Sequence, residues 1–296
     1  MKILFAADTM PYSEFALQEL INLAENTFAG ITIVGVAKTS PAREVQSGVY
    51  SSVKLDDPLI EALDKYREIF LNHWERGESP YEAMNCQYEW LTLRSNMWEQ
   101  IKVCRGSMKD LNVRVRFGNV VKEILAESKE SGSDLIILGC TKGTQCLWEE
   151  VPSVPEKVVN EAECSVFLVK EAHPINKIYA CLDETNITQE SLEMINQMAT
   201  IHSAGIELIG LTKGMGIKAD VYPWLEKVFE YLENKGLDVA LNYREISDFE
   251  PFIRSEVKEG LLALWMGKKS LLDRFFSKSS IGRFIKTCRT SVLVLR

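Results

Sequence analysis

Apolar and polar positions along this chain follow two alternating periods. Short, nearly continuous apolar runs come first: KILFAA from Lys2, GITIVGVA from Gly30 and DLIILG from Asp134, the pattern of strands buried on both faces of a sheet. Between such runs the spacing becomes helical. Leu17, Leu20, Ile21 and Ala24 fall at i, i+3, i+4 and i+7, a one-sided stripe that packs a helix against a sheet. The alternation returns later with KIYACL from Lys177, GIELIGLT from Gly205 and LLALW from Leu261, and with the stripe Leu192, Ile195 and Ala199. Strands alternating with amphipathic helices predict right-handed βαβ crossovers and an α/β fold built on parallel sheet.

The second series copies the first. KILFAADTMPYSEFALQEL matches KIYACLDETNITQESLEMI, which sets Asp8 against Asp183 at a strand end. GITIVGVAK matches GIELIGLTK at the same offset, DLIILGC matches LLALWMGKK, and CSVFLVK matches TSVLVLR, so each copy ends in a strand. Two tandem domains are predicted, residues 1–171 and 177–296, joined through EAHPINK. The first copy is longer, with its extra chain at about residues 41–110. Leu63, Tyr66, Phe70 and His73 repeat at helical spacing there, as do Leu93, Met97, Ile101, Cys104 and Met108, with Gly77, Ser79 and Pro80 between the two runs. This predicts a helical hairpin added outside the sheet. It carries Trp74, Trp90 and Trp98, as a small satellite core or as a surface for a protein partner.

Composition narrows the function classes. A chain of 296 residues, 46% hydrophobic and 26% charged, can bury two cores and has no low-complexity tract. A net charge of −8 argues against general binding to nucleic acid or anionic membrane. The N-terminal apolar run is too short for a signal peptide, and no window reaches the ~18–20 apolar residues that cross a bilayer, so a cytoplasmic protein without membrane insertion is expected. The seven cysteines form no C-x-x-C pair and read mostly as reduced, small core residues, with no zinc site. Dinucleotide, P-loop, serine-elbow and zincin motifs are all missing. His73, His173 and His202 fall in the hairpin, the linker and a helix end. No catalytic residue and no metal ligand is assigned.

A strand ending in aspartate, a polar turn and a helix, followed by a later strand ending in glycine, a loop and a serine at a helix start, resembles the universal stress protein family over nearly all of both copies. The resemblance implies, in each domain, an open parallel five-stranded sheet with helices on both faces, of the Rossmann-like type seen in the adenine nucleotide alpha hydrolases. Nucleotide-binding members carry G-x-x-G-x9-G-(S/T) after the fourth strand. Here the first copy offers Gly139, Lys142, then Pro152 and Ser153; the second offers Gly267, Ser270, then Ser279 and Ser280. Gly118 resembles the glycine that borders the ribose, and Asp8 and Asp183 the aspartate on the adenine side. Each aspartate also reads as an ordinary turn cap, and Ser153 as an ordinary helix cap.

Charge separates the copies. Pro152 lacks an N–H, and Glu149 and Glu150 add negative charge beside the first loop, which opposes a phosphate. The second loop holds Lys268, Lys269, Arg274, Lys278 and Arg283 against Asp273, either a phosphate cradle or a solvated basic face. The resemblance thus implies ATP or a related adenine nucleotide with Mg2+, bound in the second domain by Asp183, Gly267, Lys269, Ser270, Ser279 and Ser280. A nucleotide-free interaction scaffold is the alternative, and a slow ATPase the weaker one. An unidentified protein partner, an internal pseudo-dimer of the two domains and a homodimer complete the expectations.

Overall fold

The computed structural model describes residues 1–38, 57–75, 77–82, 86–94, 96–103, 107–140, 154–170, 174–182, 187–212, 221–266, 272 and 288–296. The chain divides into two compact units, Met1–Gly139 and Cys140–Arg296.

The first unit runs β1 (Lys2–Ala7), α1 (Tyr12–Thr27), β2 (Gly30–Ala37), α2 (Pro58–Leu71), β3 (Gln87–Arg94), β4 (Met97–Val103), β5 (Leu111–Phe117), α3 (Val120–Ser131) and β6 (Leu135–Gly139). Its strands lie in the order β6-β1-β2-β5-β4-β3. The first four are parallel, and β4 and β3 continue the sheet antiparallel. Every residue of β6, and all of β1 except Lys2, is buried, as the unbroken apolar runs require. The stripe Leu17, Leu20, Ile21 and Ala24 faces inward from α1.

The second unit holds α4 (Val154–Glu161), β7 (Ser165–Val169), β8 (Lys177–Leu182), α5 (Gln189–His202), β9 (Gly205–Thr212), α6 (Val221–Asn234), β10 (Val239–Glu245), α7 (Phe249–Ser255), β11 (Leu261–Trp265) and β12 (Ser291–Leu295). Its order is β10-β9-β8-β11-β12-β7. Five strands are parallel, and β7, the last strand of the first copy, pairs antiparallel with β12, the last strand of the second.

The repeat survives in backbone detail. Lys2 lies opposite Gly30 in the β1–β2 pair, and Lys177 lies opposite Gly205 in β8–β9. Helix α1 ends at Phe28 with φ 48°, and α5 ends at the equivalent Ser203 with φ 50°, both left-handed. Each cap returns its N–H to a carbonyl of the last turn, a stop that uses one residue in an uncommon conformation.

The added segment corrects the sequence reading. Its first arm is the predicted helix, α2, capped by Asp57, whose carboxylate accepts the Leu59 N–H at 2.8 Å. Its second arm is a β-hairpin, β3 and β4, and belongs to the sheet. Met97 and Ile101 are spaced by four, which places residues on one face of a helix and equally on one face of a strand, and Leu93, four before Met97, falls on the other arm of the hairpin. The neighbouring Trp90, Thr92 and Trp98 favour strand. Trp98 is 2% exposed and meets the Phe117 ring at 6.2 Å, while Trp74 packs on Phe70 and Tyr81. Polar ties fasten the hairpin on both faces. Arg67 of α2 donates to Gln100 at 2.5 Å, and Arg114 of β5 joins Glu99 at 3.2 Å and the fully buried Glu127 at 2.6 Å. The cysteine expectation also needs amending. Cys140, Cys181 and Cys288 are small buried core residues, as expected, but Cys86 is disulfide-bonded.

No described helix is long and apolar enough to cross a membrane. Among the described residues, no group of three or more His, Cys, Asp or Glu side chains could hold a metal ion.

Candidate functional site

The candidate site lies where the parallel strands of the first unit end. Strand β1 stops at Ala7, and Asp8 turns the chain into α1. The residue before that helix, Pro11, offers no side-chain cap, so Asp8 serves the helix entrance instead. Its Oδ1 accepts the Met10 N–H at 2.9 Å and the Ser13 hydroxyl at 2.8 Å, and its Oδ2 accepts the Tyr12 hydroxyl. The Asp8 N–H donates back to Ser13 Oγ at 3.2 Å, and from α2 the Tyr66 hydroxyl donates to the Asp8 carbonyl at 2.8 Å. Both carboxylate oxygens are therefore held by the helix that follows. Burial raises the Asp8 carboxyl above its ordinary value, against the opposing pull of Tyr12, Met10 and Ser13. Tyr66 is pushed up to about 12, first by burial and then by the Asp8 charge.

Gly139, at the end of β6, belongs to the same cluster. A Cβ there would lie 2.5 Å from the Tyr12 carbonyl oxygen and 2.7 Å from its ring, so only glycine admits Tyr12 at this distance. Tyr12, 2% exposed, fills the space between Asp8 and Gly139. Gly118, after β5, has φ +149°, and its N–H donates to the Ala37 carbonyl at the end of β2. A Cβ at Gly118 would meet Glu123 Oε1 at 2.9 Å, and Glu123 is held by the Arg116 guanidinium at 2.8 Å. The two groups that crowd these glycines are thus a tyrosine and a carboxylate of the protein itself.

Asp8 and Gly139 come together through Tyr12, and Gly118 lies at the same end of the sheet. Ser153, Asp183, Gly267, Lys269, Ser270, Ser279 and Ser280 lie outside the described residues. The sequence reading missed Tyr12, Ser13 and Tyr66. Tyr12 and Ser13 stand at i+4 and i+5 from Asp8, the spacing at which a strand-end carboxylate meets the first turn of the next helix. Nothing local marks Tyr66, which reaches Asp8 from a helix that reads as core. In the second copy Ile187 stands where the first has Tyr12, and α5 has a side-chain cap of its own, Thr188, which accepts the Ser191 N–H at 3.2 Å.

The comparisons with known proteins agree with this architecture. No curated protein matches the chain. Among solved structures, a universal stress protein from Archaeoglobus fulgidus DSM 4304 is 14% identical, with 100% of this chain and 96% of that chain covered, at a TM-score of 0.59. A functionally unknown protein from Pseudomonas aeruginosa PAO1 is 15% identical over 99% of this chain and 92% of its own, at a TM-score of 0.55. At these identities the likeness is one of fold. The family model described as "Universal stress protein family" matches residues 1–170, more than half of the molecule. The chain belongs to the universal stress protein family.

Proposed function

We propose that this protein is a cytoplasmic stress-response regulator with unequal halves: a first half that carries no open nucleotide site, and a second half that binds an adenine nucleotide with Mg2+. The observation that carries the reading is the engagement of Asp8 by Tyr12, Ser13 and Met10, with Tyr12 seated on Gly139. A purine edge seeking Asp8 has to displace part-buried hydrogen bonds, and a phosphate approaching Gly139 meets a tyrosine. The second copy replaces Tyr12 with Ile187 and surrounds its loop with Lys268, Lys269, Lys278 and Arg283. Asp183 would then face the base, with Gly267, Lys269, Ser270, Ser279 and Ser280 around the phosphates. Mg2+, when bound, would neutralise phosphate charge, and the chain's part would be to bind and orient the nucleotide. The two copies act as an internal pseudo-dimer.

Calorimetric titration with ATP and Mg2+ tests this. One site per chain is expected, without sustained ADP release. Loss of a charge-assisted bond in Lys269→Ala weakens binding by roughly ten- to a hundredfold, and Lys142→Ala leaves it unchanged. Weakening only in Lys142→Ala would place the site in the wrong half. An absence of heat with the parent protein would leave the ligand-free scaffold, which the closed first half independently favours, as the better reading.

A further inference from the structure

Strand β10 is the second copy's counterpart of β5. The Ile206 N–H donates to the Asp238 carbonyl at 2.7 Å, and the Ile31 N–H to the Asp110 carbonyl at 2.9 Å, at equivalent positions of the repeat. On its far side β5 accepts an antiparallel strand: Trp98 of β4 lies opposite Val115, and the Phe117 N–H donates to the Asn96 carbonyl at 2.9 Å. The second copy has no such hairpin between its helix and strand, since α6 ends at Asn234 and β10 starts at Val239. Among the described residues β10 is therefore the outermost strand of its unit. Successive residues of a strand turn their backbone groups to opposite sides. With the Asp238 carbonyl turned toward β9, the N–H and C=O groups of Val239, Leu241 and Tyr243 face the open edge.

An open edge is a template for pairing, and proteins blunt it with charges, proline or bulges. β3, outermost in the first unit, has a register shift between Thr92 and Arg94 and carries the exposed charges Glu89 and Arg94. β10 lacks these devices. It pairs with β9 from Val239–Ile206 to Glu245–Thr212 without a shift, and contains neither proline nor lysine. Its Val239, Leu241 and Tyr243 are half-buried, and Tyr222, 46% exposed, stacks on Tyr243 at 5.3 Å. Charges stand at the two ends: Asp238 is exposed, and Arg244 is partly exposed, with its Nη2 on Glu256 at 2.7 Å.

We infer that β10 pairs antiparallel with β10 of a second copy of this chain, about a two-fold axis at Leu241. Charge complementarity selects this register. With the axis at Leu241, Asp238 lies opposite Arg244 of the second copy, Val239 opposite Tyr243, and Leu241 opposite Leu241, so an ion pair closes each end and apolar side chains meet on the other face. Asp238 and Arg244 then form a non-hydrogen-bonded pair, the kind in which opposed side chains lie closer. An axis at Asn242 sets Arg244 against Ala240 and Glu245 against Val239. One at Tyr243 sets Arg244 against Asn242 and Leu241 against Glu245. Neither matches opposite charges. The contact joins two half-buried strands and is smaller than the fully buried β12 offers, so it fills as concentration rises.

The test is sedimentation of the full chain over a roughly hundredfold range of concentration, with amide hydrogen exchange read at both ends of that range. A reversible passage from monomer to dimer is expected, with exchange at Val239, Leu241 and Tyr243 slowed in the dimer. Arg244→Asp alone, or Asp238→Arg alone, sets like charges opposite each other and should weaken the dimer by roughly tenfold or more. The double variant, Asp238→Arg with Arg244→Asp, exchanges the charges and should restore it, which separates the contact from any loss of fold in the single variants. A monomer at every concentration, single variants that dimerise as the parent does, a double variant that stays monomeric, or protection that falls on β12 instead of β10 would each overturn the inference.

Discussion

Asp8 shows how a carboxylate at a strand end can be absorbed by local structure. Its carboxylate accepts one backbone N–H and two hydroxyls, yet burial is the larger influence and holds its carboxyl above the ordinary 3.8. The native state therefore binds a proton at Asp8 more readily than the unfolded chain does. Stability from this group is complete below the unfolded value and is lost as pH rises through the raised native value. In Asp8→Asn that loss is absent. The stability of the parent minus that of the variant should shrink as pH climbs from the ordinary 3.8 through the raised native value, measured by urea denaturation at each pH. A difference that stays flat would mean that Asp8 titrates alike in both states. The carboxylate itself and Gly139 were legible in the sequence because the repeat displays strand ends twice. Its closure by Tyr12 and Tyr66 was not, because Tyr66 lies 58 residues away and its hydroxyl is indistinguishable by spacing from the ring that packs the core.

At the scale of elements, the alternation of apolar runs with helical stripes was enough to place β1, α1, β2, β6, β8, α5, β9 and β11, since continuous buried strands and one-sided helices leave different marks. The β3–β4 hairpin escaped because a spacing of four satisfies both periods. What separates the readings is energetic. A hairpin outside the sheet would tolerate loss of its tryptophans, whereas here β4 hydrogen-bonds to β5 across Met97, Trp98 and Glu99, and Trp98 is buried against Phe117. Trp98→Ala should cost about 3–5 kcal/mol, as large-to-small core substitutions do. Leu93→Ala, at a position 46% exposed on the neighbouring strand, should fall within about 0.5 kcal/mol of the parent. Similar small losses for both in equilibrium urea unfolding would return the hairpin to the status of an appendage. The same buried packing makes removal of the whole segment unfavourable, because α2 also packs on β2, with Leu59 and Leu63 against Gly35, and supplies Tyr66 to Asp8.

Across the molecule the informative feature is the β7–β12 pair. Phe167 lies opposite Leu293, Val166 opposite Val294, and Leu168 opposite Val292. By the repeat, Phe167 and Leu293 are the same position in the two copies, so the strands meet about an axis through their own equivalents. The flanking bonds obey the same symmetry: the Lys170 N–H donates to Ser291 Oγ at 3.1 Å, and the Arg296 N–H to Ser165 Oγ at 3.3 Å. Likewise the Cys140 N–H meets the Val169 carbonyl at 2.8 Å, and the Met266 N–H meets the Leu295 carbonyl at 3.0 Å. A contact in which each position faces its own equivalent is isologous, the kind by which identical chains form two-fold dimers. Residues 177–296 expressed alone should then present β12 as an apolar, self-complementary edge. They are expected to sediment as a dimer, with residue 293 of one copy facing residue 293 of the other. Leu293→Lys would set two ammonium groups face to face at the axis and should abolish that dimer while the full chain, which places Phe167 there, stays monodisperse at its original mass. A fragment that sediments as a stable monomer at every concentration, or a dimer indifferent to Leu293→Lys, would show that the symmetry of these strands is a relic of duplication and carries no association of its own.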